Sequence, residues 1–364
     1  MVHLKARFIR AYGSVPSLVR LLVFDTADET LTVSVDGELV GLTMGDELFN
    51  IGNTPVPNII RNIDRQPAIA ARLPGIQALP PVALRAGAKQ VRPLGLLALL
   101  WRYDEVEGRI QDAIWELSSK DTLSQRAGAA HGINVFICNS LVGGTGSGTF
   151  LDVAHLVRAI LDEMGTLGDF CYVTGVGVLP QAFRNIEGPN IVPNTVAALK
   201  ELSHCMLEGG FTCEYPSGRS IHSTRPPFNL YYLIDAVDEQ GYTWRGLDAL
   251  CAMIAEGLFL QVGSQVGRKG ENDFDNLDEV LSRQTERGEG TFCGSFGMAA
   301  LHCPARQVAT WCSLRLAKRV VDEGLLRPAD VQAVSKEVDT FSRAQSLDAD
   351  ALLQELAQDG EGVP

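Results

Sequence analysis

The densest chemistry in the chain is Gly143-Gly144-Thr145-Gly146-Ser147-Gly148-Thr149, where glycines alternate with hydroxyl side chains. Residues 133–138 just before it form a β-branched run of strand length. Behind it Phe150, Val153, Ala154, Val157, Leu161 and Met164 recur at helical spacing. Strand, glycine turn and helix in that order suit an anion such as a phosphate. Glycines let backbone amides approach closely, the helix start adds its positive dipole, and hydroxyls donate to oxygens. The alternative is a tight turn that binds nothing, but this many glycines exceeds what a turn requires. It is not a Walker loop, which needs Lys where Thr149 stands, and it fits a dinucleotide fingerprint poorly, because Gly148 follows Gly146 by only two residues.

Other stretches carry chemistry at comparable places. Residues 19–24 read as a strand running into Asp25-Thr26-Ala27-Asp28, where α/β sheets bind ligands. Gly87-Ala88-Lys89-Gln90-Val91-Arg92-Pro93 leads into an apolar helix predicted over 96–117, so Lys89 and Arg92 supply charge to a second anion site; a plain basic loop is the alternative. Between these lies a proline-broken region with one helix predicted near 57–73. Residues 172–179 and 229–234 read as strands, and 244–262 as a long apolar helix. The segment from Asn194 opens another helix with a capping-box-like spacing. An acidic stretch at 271–278 precedes a strand over 291–301 and a helix from Pro304 carrying Val308, Trp311, Cys312, Leu316 and Val320.

Composition narrows the function classes. The 364 residues, 46% hydrophobic and 21% charged, have room for one large or two ordinary cores. A net charge of −13 argues against general affinity for nucleic acid. No apolar run is long enough for a membrane span, and the basic start with Lys5, Arg7 and Arg10 lacks a signal peptide's apolar region, so a cytoplasmic protein is expected. The eight cysteines form no Cys-x-x-Cys pair and read as free, mostly buried thiols. His155 falls opposite the apolar stripe of its helix and reads as solvated.

The Gly-Gly-Thr-Gly-Ser-Gly run resembles the phosphate-cradling loop of the tubulin and FtsZ superfamily, and residues 87–99 look like a divergent bacterial branch, the tubulin-like-domain proteins. The resemblance covers roughly residues 15–320. It implies an α/β fold: a doubly wound, mostly parallel sheet of the tubulin/FtsZ GTPase type, plus a partial α+β second domain. It divides the chain into a nucleotide-binding domain (1–245), a connecting core helix (246–270), a partial second domain (271–345) and a disordered tail (346–364). It further implies that Gly143, Gly144, Thr145, Gly146, Ser147, Gly148 and Thr149 hold the phosphates of GTP or GDP, that Gly87, Ala88, Lys89 and Arg92 sense the terminal phosphate, and that Asp25 and Asp28 stand beside Mg²⁺.

Pro180, Phe183 and the pair Glu187-Gly188 resemble the family's ribose loop, with Glu187 accepting from sugar hydroxyls. Asn194 is either a helix cap or a nucleotide contact. Asp248 lines up with the residue that reads guanine, although a lone Asp in a first helical turn is also a common dipole partner. Asp273 and Asp275 resemble the acidic loop that enters the next subunit's pocket and positions the attacking water; an exposed acidic linker is the alternative.

The implied activity is GTP binding, with hydrolysis completed at a head-to-tail contact that builds a homopolymer; such a heterologous interface permits open-ended growth. A non-hydrolysing structural relative and a nicotinamide-dependent oxidoreductase are the other readings. Two departures matter. Nothing before Val19 supplies the family's first strand and first glycine loop, so that either the start lies beyond them or another element fills a central gap in the sheet, and too few residues follow Asp275 for a complete second domain.

Overall fold

Short strands end together at one edge of a parallel sheet, and the helices between them divide over its two faces. The computed structural model describes residues 1–28, 31–35, 37–85, 87–118, 132–165, 171–263, 291–298, 305–325, 330–345, 347 and 350–354. The chain divides into two compact units, Met1–Ala299 and Ala300–Pro364.

The first unit opens with helix α1 (Val2–Tyr12), which buries Leu4 and Phe8 on one stripe and stops at Gly13, whose φ of 81° suits a glycine C-cap. Strand β1 (Val23–Asp25) follows, then the hairpin β2 (Thr32–Val35) and β3 (Glu38–Gly41), then β4 (Leu48–Asn50), which pairs in parallel with β1. The single helix predicted near 57–73 is two, α2 (Val56–Arg61) and α3 (Pro67–Arg72), because Pro67 cannot continue the first and instead starts the second. The apolar helix predicted over 96–117 is likewise two. α4 (Arg92–Trp101) begins with Pro93 in its first turn and is apolar on nearly all sides, whereas α5 (Tyr103–Ser118) is amphipathic, and the backbone leaves helical geometry at Arg102 between them.

The larger sheet is built from β5 (Asn134–Ser140), β6 (Tyr172–Val178), β9 (Leu230–Ile234) and the two-residue β10 (Cys293–Gly294), all parallel and in that spatial order. Helix α6 (Thr145–Glu163) connects β5 to β6, and α7 (Ile191–Leu207) leads from β6 towards the hairpin β7 (Phe211–Glu214) and β8 (Ser220–Ser223). Helix α8 (Leu247–Gly263) follows β9. A mostly parallel sheet with helices on both faces is the α/β class read from the sequence. The ladders put Ser140 opposite Val178 and Val178 opposite Ile234, so β5, β6 and β9 finish level.

Apolar side chains of one face pack against α4, α5, α6, α7 and the β7–β8 hairpin; those of the other pack against α1 and α8. Alternation along the strands feeds both layers: Val173 and Tyr231 face the first core, Val176 and Ile234 the second. His155 corrects the sequence reading. It is 1% exposed and stacks on Phe211 at 3.9 Å, because the β7–β8 hairpin covers the face of α6 that a single apolar stripe leaves to solvent. The sheet has a break: β1–β4 is a separate ladder, and among the described residues no pairing joins β1 to β5.

In the second unit α9 (Ala305–Arg319) runs into a wider turn over Val320–Leu325, and α10 (Val331–Ala344) follows. Asp330 caps α10 by accepting from the amides of Gln332 and Ala333.

Candidate functional site

The carboxyl ends of β1, β4, β5 and β6 bring four loops to one edge of the sheet, where open α/β sheets place ligands. At the centre is the turn from β5 into α6. The Thr145 hydroxyl lies 2.7 Å from that of Thr26, which ties this turn to the end of β1. Asp25 Oδ1 accepts from the amides of Thr26 (2.6 Å) and Ala27 (3.3 Å), and Asp28 takes a hydrogen bond from Asn50 Nδ2. The two carboxylates are therefore held in one short turn beside Thr145.

The amino end of α6 has no side-chain cap. Its N-cap is Gly144, and the hydroxyls that could serve donate elsewhere, Ser147 to the Gly143 carbonyl and Thr149 to the Thr145 carbonyl at 2.9 Å. The first-turn amides that every helix leaves without intrahelical partners thus take no side-chain acceptor among the described residues. A cluster of unmatched amides at the positive end of a 19-residue helix is what an anion requires.

Not all the glycines serve that purpose. A Cβ on Gly144 would stand 2.7 Å from the Ala88 Cβ and 2.9 Å from its carbonyl oxygen, and one on Gly148 would stand 2.5 Å from the Arg92 carbonyl. Gly95 in α4 faces Gly144 with the same lack of room. These three residues let α4 and α6 cross backbone to backbone. Gly143 is different: the nearest atom to a Cβ there is Ser140 Oγ at 3.9 Å, so packing does not explain it.

The loop 87–91 lies over the glycine turn. Lys89 and Gln90 both take positive φ, 47° and 61°, an arrangement that non-glycine residues reach only when their surroundings hold them. Asn194 holds it by donating from Nδ2 to the carbonyls of Gln90 and Val142, each at 2.9 Å. Gln90 Nε2 in turn donates to the Glu187 carbonyl at 3.4 Å, and Gln90 Oε1 is buried without a partner. A ligand hydroxyl beside Glu187 would satisfy that oxygen.

The structure therefore gathers Asp25, Asp28, Gly87, Ala88, the 143–149 turn, Glu187 and Asn194 around one edge. Asn194 lies inside α7 rather than at its cap, which is Asn190, so the capping reading is corrected. Lys89 is exposed on the same loop. Arg92 does not point into this mouth: its guanidinium reaches the Ser147 carbonyl at 2.8 Å and pairs with Glu201. Asp248 accepts from His3 at 2.9 Å, joining α8 to α1. Asp273 and Asp275 lie outside the described residues. Sequence reasoning missed Thr26, Asn50 and Gln90; Thr26 and Gln90 sat inside stretches already singled out, but their side chains acquire meaning only when the loops meet.

Behind the turn is a buried polar cluster. Arg72 forks onto both oxygens of Asp152 at 3.0 and 2.9 Å, and the Tyr215 hydroxyl donates to Asp152 Oδ1 at 3.0 Å. Burial alone would lower the Arg72 pKa, but the Asp152 carboxylate more than offsets this and holds the guanidinium charged. Burial, with Arg72 and Arg158 nearby, pushes the imidazole of His155 down to about 4. Among the described residues no set of three or more acidic, His or Cys side chains is placed to hold a metal by itself, and no helix is long and apolar enough to cross a membrane.

Comparison with known proteins places residues 3–322 in a family described as tubulin-like. No curated protein sequence matches the chain. Among solved structures, CetZ2 from Haloferax volcanii, described as a GTPγS-bound protofilament, aligns with 18% identity and a TM-score of 0.31 over 58% of this chain and 54% of its own. The chain thus spans about half the length of that structure.

Proposed function

Because the chain belongs to the tubulin-like family, we propose that the edge built by residues 25–28, 50–53, 87–91, 143–149 and 187–194 binds a guanosine nucleotide, with the phosphates on the amino end of α6. The observation that carries this reading is the uncapped helix start, whose amides have no side-chain acceptor while Gly143 keeps open space beside them. Asp25 and Asp28 would stand beside Mg²⁺. Two carboxylates fit that ion, which keeps most of its coordination for water and phosphate oxygens. Glu187 and the unpartnered Gln90 Oε1 would meet the ribose.

In this reading Asp25 and Asp28 would hold a Mg²⁺ that would offset the phosphate charge, and the protein would position the nucleotide through backbone amides, which cost no reorganisation when charge shifts. Arg92 contributes indirectly: by pulling on the Ser147 carbonyl and anchoring to Glu201 it fixes the first turn of α6. Hydrolysis would be completed by Asp273 and Asp275 of a second copy, and head-to-tail contacts would build a filament.

The test is to measure nucleotide retained by the purified protein and GTP turnover against protein concentration. Turnover per molecule should climb with concentration if a second copy completes the site, and light scattering should rise with it. Flat turnover with tight binding would leave a structural, non-hydrolysing relative, and bound nicotinamide would overturn the reading.

A further inference from the structure

A cleft of about 450 Å³ is walled by α3, α4, α6, α7 and the start of β7. It meets the first turn of α6 at Ser147 and Gly148, but no residue of 25–28, 87–91 or 187–194 lines it, so it is separate from the edge described above. Its volume falls within the roughly 300–1,000 Å³ of small-molecule sites. The inner wall is buried, with Ser147, Phe150, Asp152 and Phe211, whereas Glu201, His204 and Thr212 at the rim are exposed.

The charges of the cleft are already balanced. Arg72 pairs with Asp152, Arg92 with Glu201, and His204 with Glu208. A charged ligand would have to take one member of a pair and leave the other uncompensated against buried walls, which is costly, whereas a neutral ligand leaves every pair intact. Two hydrogen-bonding positions stay open beside the innermost pair. Arg72 Nη2 serves both Asp152 oxygens, while Arg72 Nε is buried without an acceptor. Asp152 Oδ1 accepts from both Arg72 and Tyr215, but Oδ2 accepts from Arg72 alone and keeps a lone pair. One free donor and one free acceptor on neighbouring groups match a primary amide, which offers a carbonyl oxygen and an N–H side by side. Leu96, Phe150 and Phe211 give the cleft apolar wall besides.

We propose that this cleft is a binding site for a small neutral aromatic amide, whose carbonyl oxygen accepts from Arg72, whose N–H donates to Asp152 Oδ2 and whose ring rests on Leu96, Phe150 and Phe211. Nothing in this inference uses the nucleotide reading.

The test titrates the whole chain, without nucleotide, with three probes of one shape and different charge: benzamide, benzoate and benzamidine. Calorimetry should give benzamide a Kd on the order of 1 mM, as befits so small a ligand, and the two charged probes should bind at least about tenfold more weakly. Cys205 of α7 lines the cleft and reports the location. At benzamide about ten times its Kd, N-ethylmaleimide labelling of Cys205 should slow about tenfold relative to exposed Cys312, followed by mass spectrometry. Glu201→Gln releases Arg92 from its pair and should narrow the preference for benzamide over benzoate by about tenfold. Benzamide that does not saturate, or benzoate or benzamidine that binds more tightly than benzamide to the parent chain, overturns the proposal. Benzamide binding that leaves Cys205 labelling unchanged overturns the location, and an unaltered preference in a folded Glu201→Gln chain overturns the charge-balance argument. The first two measurements use the unaltered chain and decide the proposal even if the variant fails to fold, and a failure to bind GTP alters none of these outcomes.

Discussion

Substituting alanine at Gly143 and at Gly148 separates binding from packing within a single turn. A methyl at Gly143 meets nothing closer than 3.9 Å, and the residue lies outside the positive-φ region, so Gly143→Ala should change folding stability by no more than about 0.5 kcal/mol. It would, however, stand where a phosphate approaches the α6 amides and would weaken one charge-assisted hydrogen bond, about 1.5–3 kcal/mol, raising the Kd for GTPγS about ten- to a hundredfold. At Gly148 the added carbon stands 2.5 Å from the Arg92 carbonyl, and α4 cannot yield without moving its first turn. Overpacking of that kind costs about 1–3 kcal/mol, and Gly148→Ala should lower the thermal midpoint by about 2–10 °C. Calorimetric titration with GTPγS and thermal unfolding by circular dichroism read the two effects. The reasoning is refuted if Gly143→Ala binds like the parent chain, or if it unfolds as early as Gly148→Ala.

His155 gives a pH dependence. Its folded-state pKa of about 4 lies below the ordinary 6.5, so the unfolded chain takes up the proton first and stability is lost as pH falls from about 6.5 to about 4, by an amount on the order of 3 kcal/mol. Burial raises the Asp152 and Glu107 carboxyls, which contribute with the opposite sign, so the difference between the parent and His155→Phe, followed by urea unfolding at several pH values, isolates the imidazole. Asp152→Ala strands the Tyr215 hydroxyl and a partly buried guanidinium, and should cost about 2–3 kcal/mol in the same assay. Asn194→Ala removes both bonds that hold Gln90 and Val142 and should cost about 2 kcal/mol, with faster amide exchange through residues 87–91.

The strand, turn and helix around residue 143 were legible because three signals coincide there: a β-branched run, clustered glycines and a helical apolar period. The mostly parallel sheet was implied by the resemblance of the glycine run to the tubulin and FtsZ superfamily. What stayed hidden depended on contacts distant in sequence. The glycines of the turn looked like ligand contacts throughout, but Gly144 and Gly148 serve the crossing of α4 over α6; the visible clue was Gly95, a glycine inside an otherwise apolar helix. His155 looked solvated because periodicity registers one buried stripe, and a hairpin some sixty residues later covers the other. Arg92 was legible as a charge at a helix start, but its partner, Glu201, arrives from α7.

The most direct measurement of the central claim is amide hydrogen exchange at residues 143–148 with and without GTPγS and Mg²⁺. Phosphates held by the start of α6 should slow exchange at the backbone amides of Thr145, Gly146 and Ser147 and leave α10 of the second unit unchanged. Exchange at those amides that is indifferent to saturating nucleotide would contradict the account.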